Sequence, residues 1–269
     1  MPKVHYLVFD IESVADPELV AKVHYAGKEV EPQDAIRRYR EELMAANNSD
    51  FIPYTFQVPV SVAVAKVDGD FQLIDLVVLD EPQFRSHEIC RRFWEGWKHY
   101  GHPTLVTFNG RSFDLPLMEL TAFRYGLPVP GWFALDQKSY DQPRHRYNTK
   151  SHFDLHDILT NYGATRFHAG LNLAANLLGK PGKMDVQGNM VQDMYDAGET
   201  ARINDYCRCD VLDTYFVFLR TMVLLGNLSL NREQELVRQT KTWLERRVDI
   251  PAFALYLDHW GDWENPWES

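Results

Sequence analysis

The stretch VHYLVFDIE, residues 4–12, is a short apolar run that ends in two acids separated by one residue. A run of this length predicts a buried strand that delivers both acids at its C-terminal end. Because side chains alternate along a strand, Asp10 and Glu12 point to the same face and can share a metal ion. Taken alone, an acid pair of this kind often arises by chance, so the rest of the chain has to decide its meaning.

The segments after this strand predict an antiparallel meander. Residues 58–67 alternate as a strand, residues 69–70 form a turn, and residues 71–79 return as a third strand. Residues 105–108 and 153–159 predict two more strands, now alternating with helices. We therefore expect an α/β fold with a five-stranded mixed sheet, in which strands 1–3 form the meander, the later strands are parallel, and helices flank the sheet.

Several other segments have helical patterns. The charged residues 34–44 predict a surface helix inserted after the first strand, and two helices are expected over residues 186–225. We divide the chain into a domain over residues 1–228, with a helical insert at about residues 17–50, and a C-terminal extension, residues 229–269. The C-terminal extension begins like a helix and continues with tryptophans among acids, a pattern that we interpret as packing.

Composition and charge limit the possible functions. Of 269 residues, 45% are hydrophobic and 25% are charged, values typical of globular proteins rather than of disordered or fibrous ones. The net charge of −10 argues against a protein that binds nucleic acid through Lys and Arg alone. Acidic chains nevertheless act on nucleic acid where grouped carboxylates hold divalent ions that bridge to phosphate.

The chain has no pattern of a membrane or secreted protein. Its apolar runs are far shorter than the ~20 residues that cross a bilayer, and the first residues lack the basic and apolar regions of a secretory signal. Three cysteines are too few, and odd in number, for a disulfide framework, so we expect a cytoplasmic location. Cys207 and Cys209 have no second pair that would complete a zinc site.

Two further acidic motifs lie downstream. The segment TFNGRSFD, residues 107–114, leads from a strand through a glycine turn into a helix that begins near Asp114, where Asp is also a favoured helix cap. In the helix that contains YCRCD, residues 206–210, three residues fall on one narrow face: Tyr206, Asp210 and Asp213. Taken alone, this face is better explained by a core tyrosine beside solvated acids, and we place Asp213 behind the other two.

Together the three motifs resemble the tyrosine branch of the DEDD 3′-to-5′ exonuclease superfamily, with D-x-E at residues 10–12, N-x-x-x-F-D at residues 109–114 and Y-x-x-x-D at residues 206–210. Over roughly residues 3–225 the chain is similar to bacterial predicted exonucleases related to the proofreading domain of family B DNA polymerases. The sister histidine branch has its base five residues before the last Asp, where this chain has Asp205. The insert and the chain after Asn231 depart from that pattern.

The resemblance implies an RNase H-like fold and a metal-dependent site. Four carboxylates, Asp10, Glu12, Asp114 and Asp210, would hold two divalent ions, Mg²⁺ or Mn²⁺ rather than zinc, because their ligands are oxygens. Tyr206 would orient the attacking water, since a tyrosine with a pKa near 10 is a poor base at neutral pH. The expected catalytic residues are these four acids and the tyrosine.

The resemblance also suggests residues that contact substrate. These are Ile11, Asn109, Phe113 and Lys183, with a hydrogen bond expected from Asn109 and stacking from Phe113, although Phe113 fits a core position equally well. Lys180 belongs to the same loop as Lys183 and is either a phosphate contact or a solvated residue. The segment HFDLHD, residues 152–157, has the composition of a metal site, but such a pattern more often orders a loop.

These expectations combine into one function and two alternatives. We expect a stand-alone 3′-to-5′ exonuclease that acts on single-stranded DNA or RNA and releases nucleoside 5′-monophosphates, with any polymerase or repair partner in trans. The alternatives are a nucleic-acid-binding protein of weak activity on a nuclease fold and a phosphohydrolase for small nucleotides or dinucleotides. No motif distinguishes DNA from RNA, because that choice rests on contacts to the 2′-hydroxyl.

Overall fold

Five strands form one mixed sheet in the computed structural model, which describes residues 2–184 and 188–268. The strands are β1 Tyr6–Ala15, β2 Gln57–Val67, β3 Leu73–Val78, β4 Thr104–Thr107 and β5 His152–Asp154. Their order across the sheet is β3-β2-β1-β4-β5. β2 is antiparallel to both β1 and β3, whereas β4 is parallel to both β1 and β5. The predicted five-stranded mixed sheet is confirmed, and its order and directions are those of an RNase H-like fold.

Helices flank this sheet. The α-helices of the described residues are α1 Pro17–Leu19, α2 Pro32–Asn47, α3 Ser86–His99, α4 Asp114–Tyr125, α5 Pro130–Phe133, α6 Leu155–Thr160, α7 Gly170–Asn176, α8 Val191–Asp196, α9 Thr200–Leu224, α10 Leu230–Glu245 and α11 Pro251–Asp258. Shorter helical turns occur at Val20–His24, Tyr54–Phe56, Ser139–Asp141 and Gly188–Met190. Residue 186, where a helix was expected to begin, lies outside the described residues. No helix in the described ranges is both long enough and apolar enough to span a membrane.

The alternation of β1 assigns its side chains to two cores. Leu7, Phe9 and Ile11 pack in one hydrophobic cluster with residues of α3 and α4. Val8 packs in the opposite cluster, to which α9 contributes most of its buried face. Because Asp10 follows the same alternation as Val8, its side chain faces α9. The alternation of side chains along β1 therefore directs Asp10 toward α9, the helix that contains Tyr206 and Asp210.

A bulge interrupts the pairing of β1 with β2 next to the second acid. Glu12 pairs with Ser61 but Ser13 pairs with Pro59, so Val60 is an extra residue in β2. Proline has no backbone N–H to donate, which makes the ladder at Pro59 a natural place for such an irregularity. Beyond this bulge β1 continues to Ala15, and the expectation that the strand ends at the acids is wrong.

The fifth strand is shorter than expected. β5 contains three residues, and α6 begins at Leu155 where a strand to residue 159 was expected. The Asp154 side chain accepts a hydrogen bond from the backbone N–H of His156 at 3.0 Å and caps α6. A helix cap thus ends the strand after Asp154.

The insert and the C-terminal extension pack differently. Tyr39 of α2 lies in a small cluster with Val20 and Ile52, separate from the two main cores. Residues of α10 and α11, among them Leu236 and Phe253, belong instead to the large core cluster shared with α9. The expected packing role of the C-terminal extension is therefore confirmed, while the boundary between residues 228 and 229 stays a prediction.

Candidate active site

The acids of the three motifs converge between β1, α4 and α9. Asp10 and Glu12 lie on β1, Asp114 is the first residue of α4, and Asp210 lies in the middle of α9. The negative charges of Asp114, Asp210 and Glu12 all raise the pKa of Asp10, which shows that the four groups are close in space. We call these four residues the carboxylate cluster. The structure brings all four predicted acids together.

Asp154, a buried acid outside the carboxylate cluster, holds the loop that leads from β4 to Asp114. The Asp154 side chain accepts hydrogen bonds from the backbone N–H groups of Asn109, at 2.8 Å, and Arg111, at 2.9 Å. Arg111 in turn forms an ion pair with Asp157 at 2.8 Å. The segment at residues 152–157 therefore orders the loop between β4 and α4, which is the alternative favoured from the sequence over a metal site.

The same loop depends on a glycine. The N–H of Gly110 donates to Thr107 Oγ1 at 3.2 Å, and a Cβ on Gly110 would lie 2.5 Å from that oxygen. Thr107 Oγ1 also contacts His152 Nε2 at 2.8 Å. A larger residue at position 110 would therefore displace Thr107 and disturb the turn that leads to α4.

Burial without counter-charge perturbs the carboxylate cluster. Burial raises the pKa of Asp114 to about 7 and that of Asp210 to about 6. Burial and neighbouring negative charges raise the pKa values of Asp10 and Glu12 well above the ordinary range. Among the described residues, no Lys or Arg forms an ion pair with any of the four within 4.0 Å. The cluster is an oxygen-rich site whose acids have no ion-pair partner among the described residues.

Tyr206 lies beside this cluster. Hydrogen bonding from its hydroxyl lowers the pKa of Asp210, although burial outweighs that effect. Burial and the negative charges of Asp210 and Glu12 raise the pKa of Tyr206 itself well above its usual value. The phenol therefore stays protonated at neutral pH. It can orient a neighbour by hydrogen bonding but cannot accept a proton as a phenolate.

Cys207 is a neighbour that the sequence reasoning missed. Its Sγ and carboxylate oxygens of Asp10 and Glu12 all lie within 4.8 Å of one another. The thiol donates to the backbone carbonyl of Asp10 at 3.3 Å, and burial raises its pKa well above the usual value. Cys207 precedes Asp210 by three residues on α9, and this spacing places both on one helix face. That spacing was the sequence signal from which Cys207 could have been identified as a neighbour of the acids.

A cleft opens next to Glu12. It has a volume of about 320 Å³, and its walls include Phe113 and Phe51. Their ring centroids are 5.7 Å apart, and Phe113 is half-buried while Phe51 is exposed. Ile11 is buried, and its backbone N–H donates to the carboxyl groups of Asp10 and Asp114, which lowers their pKa values. Aromatic surface therefore lies directly beside the acids.

The remaining substrate candidates differ in position. Asn109 is exposed, with a φ of 66°, at the turn after β4. Lys183 is exposed, and its positive charge lowers the pKa values of Glu12 and Asp210. Lys180 is only 4% exposed, and its Nζ donates to the carbonyl of Gly261 at 2.9 Å. The structure thus excludes the solvated position considered for Lys180.

A known protein family matches most of the chain. A family model described as "Predicted 3'-5' exonuclease related to the exonuclease domain of PolB" matches residues 49–265. That range includes Asn109–Asp114 and Tyr206–Asp210 but not Asp10 and Glu12. It also includes the chain after Asn231, so our expectation that this part departs from the family pattern is wrong.

The other comparisons add little. No curated protein matches the chain. One solved structure that is similar is that of the family B DNA polymerase from the hyperthermophilic archaeon Pyrobaculum calidifontis, with 15% identity and a TM-score of 0.49. The match covers 82% of this chain and 25% of the polymerase chain. The chain thus spans about a quarter of the length of that polymerase.

Proposed function

Because the chain belongs to the family of predicted 3′-5′ exonucleases related to the exonuclease domain of PolB, we propose that it hydrolyses single-stranded DNA or RNA from the 3′ end and releases nucleoside 5′-monophosphates. One observation carries the proposal. Four carboxylates, two of them buried and two half-buried, form no ion pair with the described residues and lie beside a protonated tyrosine, at the three motif positions expected for such a nuclease. Asp10, Glu12, Asp114, Tyr206 and Asp210 are the residues that we assign to catalysis.

The carboxylate cluster fits divalent metal ions. Its donors are hard carboxylate oxygens, the type that Mg²⁺ and Mn²⁺ prefer, and their raised pKa values mark negative charge that the protein does not neutralise. Asp10 and Glu12 on β1, Asp114 on α4 and Asp210 on α9 would hold two such ions. When bound, two ions would stabilise charge on the attacking and leaving oxygens of an in-line displacement.

Tyr206 has a positioning role in this proposal. Its hydroxyl is protonated and lies beside the Asp210 carboxylate, so it can accept from or donate to a water at the site. A fixed hydroxyl orients the water for attack on the terminal phosphodiester. The proton that the water loses passes to solvent rather than to the phenol oxygen, since that oxygen already carries one.

The residues around the carboxylate cluster could bind the 3′ end of a nucleic acid strand. Phe113 and Phe51 offer aromatic faces for a base beside Glu12. Lys183 offers a positive charge near Glu12 and Asp210 where a phosphate would approach. Asn109 and the buried Ile11 are the other residues that we propose at the substrate; Ile11 would contribute through its backbone and the rim of the cleft.

An oligonucleotide assay tests the proposal. DNA and RNA with a 5′ label, single- or double-stranded, are incubated with Mg²⁺, Mn²⁺ or EDTA. We expect a ladder that shortens from the 3′ end, mononucleotide products, no activity in EDTA, and slow digestion of a strand with a 3′-phosphate. Rapid cutting of a circular single strand would show an endonuclease instead. Cleavage of a dinucleotide without attack on longer strands would select the small-nucleotide phosphohydrolase.

A further inference from the structure

The loop that carries Lys183 is fixed by the C-terminal extension. We call residues 179–183 the lysine loop. The N–H of Gly261 donates to the carbonyl of Gly179 at 2.9 Å, and Lys180 Nζ donates back to the carbonyl of Gly261, also at 2.9 Å. The same ammonium group lies 3.9 Å from the centroid of the Trp260 ring. Two hydrogen bonds and a cation–π contact therefore join segments about eighty residues apart in the chain.

Glycines allow this close approach. Gly179 has a φ of 66°, and a Cβ there would lie 3.0 Å from backbone atoms of Asp262. A Cβ on Gly261 would lie 2.7 Å from the carbonyl oxygen of Gly179. Both backbones must be free of side chains for the contact to form. The contact between the two segments therefore requires glycine at both position 179 and position 261.

The other end of the lysine loop is equally constrained. The N–H of Lys183 donates to Asn172 Oδ1 at 2.8 Å. A Cβ on Gly182 would lie 2.4 Å from Asn172 Oδ1 and 2.4 Å from Asn176 Nδ2. The loop therefore rests on α7 at one end and on the C-terminal extension at the other, while Lys183 itself is exposed.

The C-terminal extension also contacts the helix that carries Asp210. The Tyr256 hydroxyl of α11 donates to Asp213 Oδ1 at 2.6 Å, and both residues are fully buried. Asp213 lies three residues after Asp210 on α9. The N–H of Gly182 also acts on the Asp213 carboxyl and lowers its pKa, although burial outweighs this effect and raises the value to about 8. One buried carboxyl group thus contacts the C-terminal extension and the lysine loop.

We propose that residues 251–262 are a positioning element of the active site, in which Lys180, held by Trp260 and Gly261, keeps Lys183 aimed at a phosphate of the substrate strand. The inference rests on the proposed function, since it assumes that a nucleic acid strand lies at the carboxylate cluster. Lys180 is buried on the side of the C-terminal extension and acts through the loop rather than on substrate.

Salt dependence of binding tests this inference. When a protein neutralises one phosphate fewer on a single strand, the slope of log K against log salt concentration becomes less steep by about 0.7. Binding of a single-stranded oligonucleotide is measured with Ca²⁺ over a range of salt concentrations for Lys183→Gln, Lys180→Met and the double variant. We expect weaker binding and the same decrease in steepness in both single variants, although Lys180→Met keeps Lys183. The double variant should be no worse than Lys183→Gln alone.

Matched variants separate positioning from stability. Lys66 on β2 forms its ion pair with Asp75 on β3, at 3.0 Å, and not with the lysine loop or with residues 251–262, so Lys66→Met should keep the full slope. A lower melting temperature with an unchanged slope in Lys180→Met would overturn the inference. If Lys180→Met does not fold at the assay temperature, Trp260→Leu replaces it and is judged by the same slope.

Two outcomes distinguish this inference from the proposed function. A wild-type protein that binds strands with the expected slopes but shortens none of them contradicts the proposed function alone. A wild-type protein that digests strands while Lys183→Gln binds with an unchanged slope contradicts the positioning inference alone.

Discussion

Asp80 and Asp114 of the carboxylate cluster are both buried, yet their environments have opposite effects on the pKa. Asp80 is 1% exposed and accepts hydrogen bonds from Arg85 Nε, Nη2 and backbone N–H at 2.8–3.0 Å, with Arg92 also 3.0 Å away. Hydrogen bonding from Arg85 lowers the pKa of Asp80 to about 2. Asp114 is 5% exposed and has no such partner in the described part of the chain, and burial raises its pKa to about 7. Burial alone does not decide whether an acid ionises; the available counter-charge does.

The contrast indicates what each region is for. At Asp80 the protein supplies two guanidinium groups, so the carboxylate is a structural element that joins the end of β3 to α3. At the cluster the protein leaves four acids uncompensated, which costs stability unless a cation binds. Mutation and pH should therefore affect the two regions in different ways.

The strongest test is removal of one acid from the cluster. Asp10→Asn should lower exonuclease turnover by at least about 10³-fold, because the charges of all three other acids act on Asp10 and the metal-binding groups act as a unit. The melting temperature of the metal-free protein should rise, since an uncharged amide replaces a carboxyl group that burial and three neighbouring acids destabilise when it ionises. Single-turnover assays and thermal melts in EDTA measure both effects.

Asp70→Asn is the matched control, because Asp70 is exposed at the turn before β3 and its side chain makes no hydrogen bond or ion pair with the described residues. Wild-type turnover in Asp10→Asn would remove the distinction between the cluster and an ordinary buried acid.

The second test concerns Tyr206, which keeps its ring but loses its hydroxyl in Tyr206→Phe. If the hydroxyl orients the attacking water, the rate should fall by about 10²-fold, in the range of other positioned proton-handling groups. Strand binding supported by Ca²⁺ should hardly change. A rate near wild type, with only a small loss of stability, would mean that Tyr206 packs and does no more.

The third test addresses the paired carboxylate. Asp80→Ala should lower the free energy of unfolding by about 2 kcal/mol, because hydrogen bonds to charged groups are removed while the exposed guanidinium groups recover water. Nuclease activity per folded molecule should stay near wild type. Chemical denaturation and the strand assay together measure this. An unchanged stability would contradict a structural role for the pair.

The smallest expected effect is a pH dependence of opposite sign in the two regions. The folded pKa values of Asp114 and Asp210, about 7 and about 6, lie above their ordinary value of 3.8, so the folded state binds more protons than the unfolded state. Metal-free stability should therefore fall as pH rises from about 4 to about 7, by at least about 1 kcal/mol. Asp80 instead stabilises above its unfolded pKa of 3.8, and that contribution disappears as pH falls toward 2.

Melting curves in EDTA and in Mg²⁺ at several pH values check this sign. Mg²⁺ should remove the fall between pH 4 and 7, since bound cations favour the ionised acids. Asp10→Asn should make the fall in metal-free stability between pH 4 and 7 smaller. A metal-free stability that rises through this range would contradict uncompensated acids at the site.

Local periodicity made part of the site predictable. Alternation along β1 placed Asp10 and Glu12 on one face, and helix geometry placed Tyr206 and Asp210 together, because both depend only on near neighbours in the chain. The meeting of Asp114 with these residues depends on β4 lying beside β1, and that came from the family resemblance rather than from any pattern in the residues.

What could not be predicted depends on distant partners or on competition between local structures. Lys180 has the sequence context of a solvated loop residue, yet its partner is Gly261 in the C-terminal extension. Residues 153–159 have the pattern of a strand, but the cap formed by Asp154 starts a helix instead. Cys207 resembles an ordinary helix residue until β1 packs against α9 and places Asp10 beside it.

Val60, the extra residue of β2, has a consequence for the evolution of this chain. Deleting it would make the ladder with β1 regular, although a bulge is a designed feature of a sheet rather than a defect. Val60 is nevertheless buried in the same hydrophobic cluster as Tyr206, Val14 and Ile203. A deletion there would therefore improve the pairing and remove the support under the tyrosine. Among homologues that keep the tyrosine, we expect the length of the segment from residue 58 to residue 62 to be invariant, even where its side chains vary.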